Sequence, residues 1–270
     1  MADEEFLRGR TAVVTGAMGA IGSAIARSLA EAGLRLVLHD LRPTDRDAAL
    51  EDELVAAGAV SVAFAHFDLA DGGIAEEGFA AIAEDHGVDV LVNVAGIQRT
   101  APLGFMSRAT WDEIIAVNLS AAFHSMSACL PGMKQRGFGR VVNIASVHGL
   151  VASRDKAAYV SAKHGLIGLT RVAALECADI GSARTGGVTV NAICPGWVQT
   201  PLIETQIQAH AERLGADREA GMRALLEEKA PSRRMTDPAE VGALTVFLCQ
   251  RQAHNITGAS MTIDGGWTAV

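Results

Sequence analysis

Tyr159 is the only tyrosine in the 270-residue chain, and it stands four residues before Lys163 and thirteen after Ser146. Four residues make one helical turn, so a helix here puts the phenol and the ammonium on one face. A phenol titrates near pH 10 and is a poor base at neutral pH, but a cation held close favours the phenolate. Each pK unit of depression corresponds to about 1.4 kcal/mol of preference for the anion, so the cation must be near and partly shielded from water. A lone Tyr-x-x-x-Lys pair also occurs on helix surfaces. The other residues around it are what give it chemical meaning.

Three donors accompany this group. Gln98 follows the turn NVAG at 93 to 96, His148 lies two residues past Ser146, and Lys156 precedes Tyr159 by about one turn. Singly they read as an exposed amide, a capping imidazole and a solvated ammonium. Together, at strand and helix ends, they form a set that can hold a small carboxylate, replacing its lost hydration with charge-assisted hydrogen bonds. Trp197 and Trp267, in the stretches CPGW and DGGW, bring two large rings that limit the pocket to a short chain, unless they are ordinary core packing.

The stretch TAVVTGAMGAIGSAIARSLAEAG (11 to 33) sets a glycine-rich turn between a strand and a helix. Gly16, Gly19 and Gly22, with Thr15 and Ile21 beside them, clear the space in which a pyrophosphate approaches N–H groups at a helix start. Asp40 ends the second strand, eighteen residues beyond Gly22. A carboxylate there accepts both hydroxyls of an adenosine ribose and repels a 2′-phosphate, so NAD is expected over NADP. Arg42 dissents: it is either a partial phosphate partner or a solvated charge. Asp68 and Leu69, after the third strand, fall where an adenine would lie, although Asp68 could equally cap a helix.

Seven β-prone runs position these groups: 11 to 15, 34 to 40, 61 to 67, 88 to 93, 140 to 146, 188 to 193 and 260 to 264. Helical sequence separates them. The alternation predicts one α/β domain of Rossmann type, a doubly wound parallel sheet of about seven strands with helices on both faces. Ligands of such sheets sit beyond the carboxyl ends of the strands. The charged stretch 201 to 235 predicts either a solvated helical hairpin or a cover over the site.

Composition narrows the classes. Net charge is −8 with no basic cluster, which argues against a nucleic-acid surface. Apolar residues make up 49%, but no unbroken run approaches the ~18 of a membrane span. The acidic start MADEEFLRGR lacks the order of a secretory signal. Cys129, Cys177, Cys194 and Cys249 are scattered without C-x-x-C and read as reduced core thiols, so a cytoplasmic location is expected. The histidines and cysteines show no metal-ligand spacing.

With these residues the chain resembles the short-chain dehydrogenase/reductase family over essentially its whole length. The family glycine pattern T-G-x-x-x-G-x-G is matched by TGAMGAIG, with Ala20 at the middle glycine and Gly19 one place earlier. NVAG is similar to N-N-A-G, keeping Asn93, Ala95 and Gly96 with Val94 in place of the second Asn. AVNLS supplies the family Asn as Asn118, and Pro195, Gly196, Val198 and Thr200 match the segment beside the nicotinamide. The resemblance implies that Ser146 orients the reacting oxygen and Tyr159 exchanges its proton. It implies that Lys163 lowers the phenol pKa and reaches the nicotinamide ribose, and that Asn118 holds a water linking Lys163 to bulk solvent.

Within the family, the stretches 93 to 98, 137 to 153, 157 to 168, 191 to 202 and 264 to 270 are similar to members acting on a short 3-hydroxy acid. In those members the positions of Gln98, His148, Lys156 and Gln206 bind the carboxylate, and the Trp positions close the pocket. The expected reaction is NAD-dependent oxidation of (R)-3-hydroxybutyrate to acetoacetate. A 3-oxoacyl-thioester reductase, a dehydrogenase of polyols or other small alcohols, and a dinucleotide-binding protein without turnover are the competing readings. A homotetramer is expected by the same resemblance, with Gly165 and Gly168 allowing close helix packing. The loop 178 to 190 is longer than expected and should affect only the surface.

Overall fold

Val13, Val37 and Leu91 point to one face of a sheet while their neighbours Val14, Leu38 and Val92 point to the other, and all six are buried. Strands apolar on both faces need cover on both. The computed structural model, which describes residues 6–182 and 184–270, provides it. Five of the first ten residues, and with them half of the acidic start, lie outside the described residues, as does Ala183 within the 178 to 190 loop.

The strands β1 (Thr11–Thr15), β2 (Arg35–Asp40), β3 (Ser61–His66), β4 (Val90–Asn93), β5 (Phe138–Ile144), β6 (Gly187–Pro195) and β7 (Ser260–Ile263) pair in parallel in the order β3-β2-β1-β4-β5-β6-β7. Every expected strand is present, with ends within two residues of expectation. On one face lie α1 (Ala20–Glu31), α2 (Asp47–Ala57) and α9 (Pro238–Cys249), which bury Ile25, Leu29, Leu54, Val241 and Leu248 against the sheet. On the other lie α3 (Gly72–His86), α4 (Arg108–Ile115), α5 (Ala121–Arg136) and α6 (Ala157–Leu175); α3, α5 and α6 bury Phe79, Met133 and Ala173 against it. Residues 108 to 136 are long and apolar enough to cross a membrane, yet Ala121, Met126, Cys129 and Met133 are packed into the core. The strand order reverses between β1 and β4, and loops leaving their carboxyl ends open a crevice there.

The stretch 201 to 235 forms a helical hairpin, α7 (Pro201–Leu214) and α8 (Arg218–Lys229), closed by Gly215 at φ 60°. Gly221 brings the helices together, since a Cβ there would lie 2.5 Å from the Ile207 carbonyl oxygen. A clasp pins both ends of the hairpin: Thr236 N–H donates to Trp197 O (2.8 Å) and Gln199 N–H to Thr236 O (3.1 Å). The 178 to 190 loop feeds the amino end of β6, remote from Pro195.

Candidate active site

Ser146 sits just beyond β5 in extended backbone (φ −177°). Its Oγ accepts the His148 N–H at 3.1 Å and lies 3.4 Å from His148 Nδ1. Helix α6 places Tyr159 and Lys163 one turn apart. The Lys163 Nζ donates to Ile144 O at 2.9 Å and lies 5.7 Å from the Tyr159 ring centre. Burial pushes this ammonium down to about 8, with the Cys194 thiol acting in the opposite direction.

One expectation is reversed here. The Tyr159 phenol is densely surrounded although part of its surface opens on the pocket, and this burial raises its pKa; the Ser146 hydroxyl, not Lys163, is what pulls it back. The Lys163 ammonium points at the end of β5 instead of at the phenol oxygen. The side chain of Asn118 has a structural part as well. It occupies a π-helical turn (Ala116–Ser120), where its Nδ2 donates to Ile97 O and Ile114 O and its Oδ1 accepts the Ile97 N–H. Those bonds make it the brace of the loop after β4.

Gln98, His148, Lys156, Trp197, Gln206 and Trp267 line one cavity together with Ser146, Tyr159 and Lys163. Its volume is about 140 Å³, small beside the roughly 300–1,000 Å³ of pockets for drug-sized ligands. Trp197 and Trp267 pack at 4.8 Å between ring centres, and Trp267 meets His148 edge-on at 5.5 Å. Asp264 holds that turn, its Oδ2 accepting Thr268 N–H at 2.8 Å. Three side-chain nitrogens on residues lining the cavity lack protein partners among the described residues. The His148 Nε2 and Trp197 Nε1 are buried without partners. Lys156 is only 6% exposed, and its Nζ approaches the Trp197 ring (5.4 Å) rather than any carboxylate. Burial lowers the pKa of Lys156. Burial, then the Lys156 charge, pushes His148 down to about 4, so the imidazole is neutral at pH 7.

A larger cavity of about 1040 Å³ runs from Gly16, Gly19 and Gly22 to Asp40, Asp68 and Leu69. It shares Ile21, Val94, Gly96, Ile97 and Thr200 with the small cavity, so the two join. The displaced glycine is accommodated because Gly19 is the N-cap of α1 and Ala20 is already helical; no side chain caps that end. Gly16 (φ +64°) must lack a Cβ, which would lie 2.9 Å from Ala95 Cα, and a Cβ on Gly22 would lie 2.1 Å from Gly16 O. Free N–H groups at a bare helix start and a Cβ-free floor suit a dinucleotide pyrophosphate.

Other assignments shift by one layer. Thr15 and Asn93 are buried behind the crevice wall: Thr15 Oγ1 accepts the Val94 and Ala95 N–H groups, and Asn93 bonds Asn143 and Ser125. Ala95 and Gly96 line the crevice as expected, while Pro195, Gly196 and Val198 line the small cavity. Asp68 is not a helix cap; Asp71 caps α3, leaving Asp68 on the crevice with its Oδ1 on Ala70 N–H. Arg42 does not line the crevice, but Arg46 does. Nothing in the local sequence separated these two arginines, because which one faces inward depends on where α2 begins.

The fold and the joined cavities define a dinucleotide-linked oxidoreductase of the Rossmann type. The chain belongs to the short-chain dehydrogenase/reductase family, and residues 16–268 match the family model described as Enoyl-(Acyl carrier protein) reductase. Among its relatives, the D-beta-hydroxybutyrate dehydrogenase of Cupriavidus necator is 44% identical over 264 residues, spanning 97% of this chain and 99% of that one. That of Rhizobium meliloti is 41% identical, spanning 96% and 99%. A gluconate 5-dehydrogenase from Burkholderia cenocepacia, solved with NADP and tartrate, superimposes with a TM-score of 0.85 at 29% identity, spanning 99% of this chain and 98% of that one.

Proposed function

We propose that the protein catalyses the reversible oxidation of (R)-3-hydroxybutyrate to acetoacetate with NAD. The observation that carries this reading is the buried Lys156 ammonium, which has no acidic partner among the described residues, beside His148 Nε2 and Trp197 Nε1, which have no partner among them either. Buried charges are ordinarily paired, and a short carboxylate would complete this set. The small volume favours a four-carbon acid over an acyl thioester. Two relatives of the same family bearing the D-beta-hydroxybutyrate dehydrogenase name add support.

Bound at the α1 start and Asp40, the dinucleotide would supply the hydride acceptor and a positive charge beside the phenol. Ser146 Oγ donates to the reacting oxygen, and Tyr159 Oη takes the alcohol proton or returns it to the carbonyl. Lys163, fixed by Ile144 O and 5.7 Å from the Tyr159 ring centre, would reach the nicotinamide ribose. Gln98, Gln206, His148 and Lys156 hold the carboxylate, and Trp197 with Trp267 excludes longer chains. A homotetramer remains our proposal for the assembly; Phe123 on α5 and Val172 and Leu175 on α6 are exposed apolar side chains suited to subunit contact.

The test is a panel of 3-hydroxy acids and matched neutral alcohols, both enantiomers, read by NADH absorbance with wild type and Lys156→Met. The variant should raise the KM for 3-hydroxybutyrate roughly tenfold or more, the worth of one charged hydrogen bond, and leave a neutral alcohol unaffected. A wild type that prefers the neutral alcohol, or a variant with an unchanged KM, rejects the carboxylate reading.

A further inference from the structure

Lys156, the ammonium on which the carboxylate reading rests, is the N-cap of α6, and no side chain caps that helix start. Asp155, the residue before it, has φ 63°, a left-handed conformation that it shares with only Arg233 among the described non-glycine residues. Asp155 is exposed, so its unusual feature lies in the backbone. Its carbonyl oxygen accepts the Ala101 N–H at 2.9 Å, and Ala101 forms an isolated parallel bridge with Lys156. Pro102 follows Ala101 and disfavours helical backbone there, which keeps that edge extended for pairing. The segment is anchored at its other end too, since Asn118 bonds both the N–H and the carbonyl of Ile97. Gln98, a second residue of the small cavity, stands between these two anchors.

The left-handed region is uncommon for residues other than glycine. Asp tolerates it, β-branched residues do not, and it persists only where the surrounding structure over-determines it. The bond and bridge to Ala101 supply that restraint. The turn divides an exposed stretch, 152 to 155, from a lysine that is 6% exposed and lines the small cavity. We propose that Asp155 is a positioning residue, whose left-handed turn, locked by Ala101, places the Lys156 ammonium for the substrate carboxylate. It acts through backbone conformation and not through its charge. The inference rests on the reading that Lys156 holds a carboxylate, and it names what puts that lysine in place.

Kinetics with 3-hydroxybutyrate and equilibrium binding of NADH test it on wild type, Asp155→Asn, Asp155→Gly, Asp155→Val, Lys156→Met and the Asp155→Val, Lys156→Met double variant. Asn and Gly enter the left-handed region readily, so both should keep KM within about twofold of wild type. Val is disfavoured there. Its KM should rise about tenfold, as expected when a charged hydrogen bond is lost, with NADH affinity unchanged. In the Lys156→Met background the same Val substitution should add less than about twofold, because its effect passes through an ammonium already removed. A KM unmoved by Asp155→Val, or multiplied equally in both backgrounds, overturns the assignment. So does a KM raised as much by Asp155→Asn as by Asp155→Val, which would point to the charge. Lys156→Met tells the two readings apart. If it raises KM while Asp155→Val does not, only the positioning role falls; if it leaves KM unmoved, the carboxylate reading falls and this inference with it. Should Asp155→Val unfold, Asp155→Ala takes its place, with a KM about threefold or more above that of Asp155→Gly; equal values in those two variants overturn the assignment.

Discussion

Each catalytic side chain is pulled between burial and function. Burial raises the Tyr159 phenol and lowers the Lys163 ammonium to about 8, so both effects work against the phenolate and ammonium pair that base catalysis needs. A rate limb set by this pair should rise with pH as the phenol ionises and should be lost as Lys163 deprotonates above pH 8. Tyr159→Phe should retain NADH binding and lose turnover by about 10²- to 10⁴-fold, the range of positioned acid–base groups; comparable rates in the two proteins remove Tyr159 from the mechanism. His148 carries a second pH signature. Its folded pKa of about 4 lies below the roughly 6.5 of an exposed imidazole, so between those values the unfolded chain binds a proton that the folded chain refuses. Stability should therefore be full above pH 6.5, fall as pH drops through that window by on the order of 3 kcal/mol, and level off below pH 4. His148→Gln should flatten that part of the melting-temperature profile, and parallel falls in both proteins would assign the titration elsewhere. The types of these residues were legible in the sequence because Tyr159, Lys163 and Ser146 sit at helix and strand spacings. The orientation of Lys163 toward Ile144 O was not, because it depends on a strand nineteen residues away in the chain.

Elements were legible where pattern and punctuation agree. The seven strands emerge from apolar runs bounded by helical sequence. The stretch 201 to 235 left two readings open, a solvated hairpin or a cover, because its charges describe only the outer face. Structure shows how both descriptions apply. The exposed Glu204 and Arg218 pair across the two helices at 2.6 Å, while Ile203 and Gln206 of α7 line the small cavity. Gly221 lets α7 and α8 approach closely, standing against Ile207 O and Ala211 N. Gly221→Leu must part the helices, an overpacking typically worth about 1–3 kcal/mol. Because α7 wall residues line the small cavity and not the crevice, the KM for 3-hydroxybutyrate should rise while NADH affinity stays put. A variant that weakens both equally would mean that the hairpin braces the whole domain and does not belong to the acid pocket alone.

At the scale of the whole molecule, chemistry and stability occupy opposite ends of the same strands. Ser146 lies beyond the carboxyl end of β5, whereas Arg140, near its amino end, is about 20 Å away at the usual rise per residue. Arg140 is fully buried and has no carboxylate partner among the described residues; it donates to the carbonyls of Cys249 (3.2 Å), Gly139 (2.8 Å), Gly187 (2.9 Å) and Gly186 (3.0 Å). Its guanidinium also lies 4.7 Å from the Phe138 ring centre. Desolvation pushes it down to about 10, which leaves it charged at pH 7. One side chain thus ties β5, the entry to β6 and the end of α9. In the sequence it was only the polar first residue of RVVNIAS, since three of its four acceptors arrive from 46 to 109 residues away. Arg140→Met keeps the apolar stem but leaves several carbonyls with fewer donors, a loss on the order of 3 kcal/mol. For a domain of this size that corresponds to a melting temperature lower by about 5 °C. Arg140→Lys should recover little, because one ammonium cannot span four carbonyls that the planar fork reaches. Measured at 25 °C, kcat should stay within about twofold of wild type, since sites this far apart contribute independently. A melting point that holds while kcat collapses would mean that the amino end of β5 is mechanically coupled to Ser146, and that the two ends of the sheet do not divide the work.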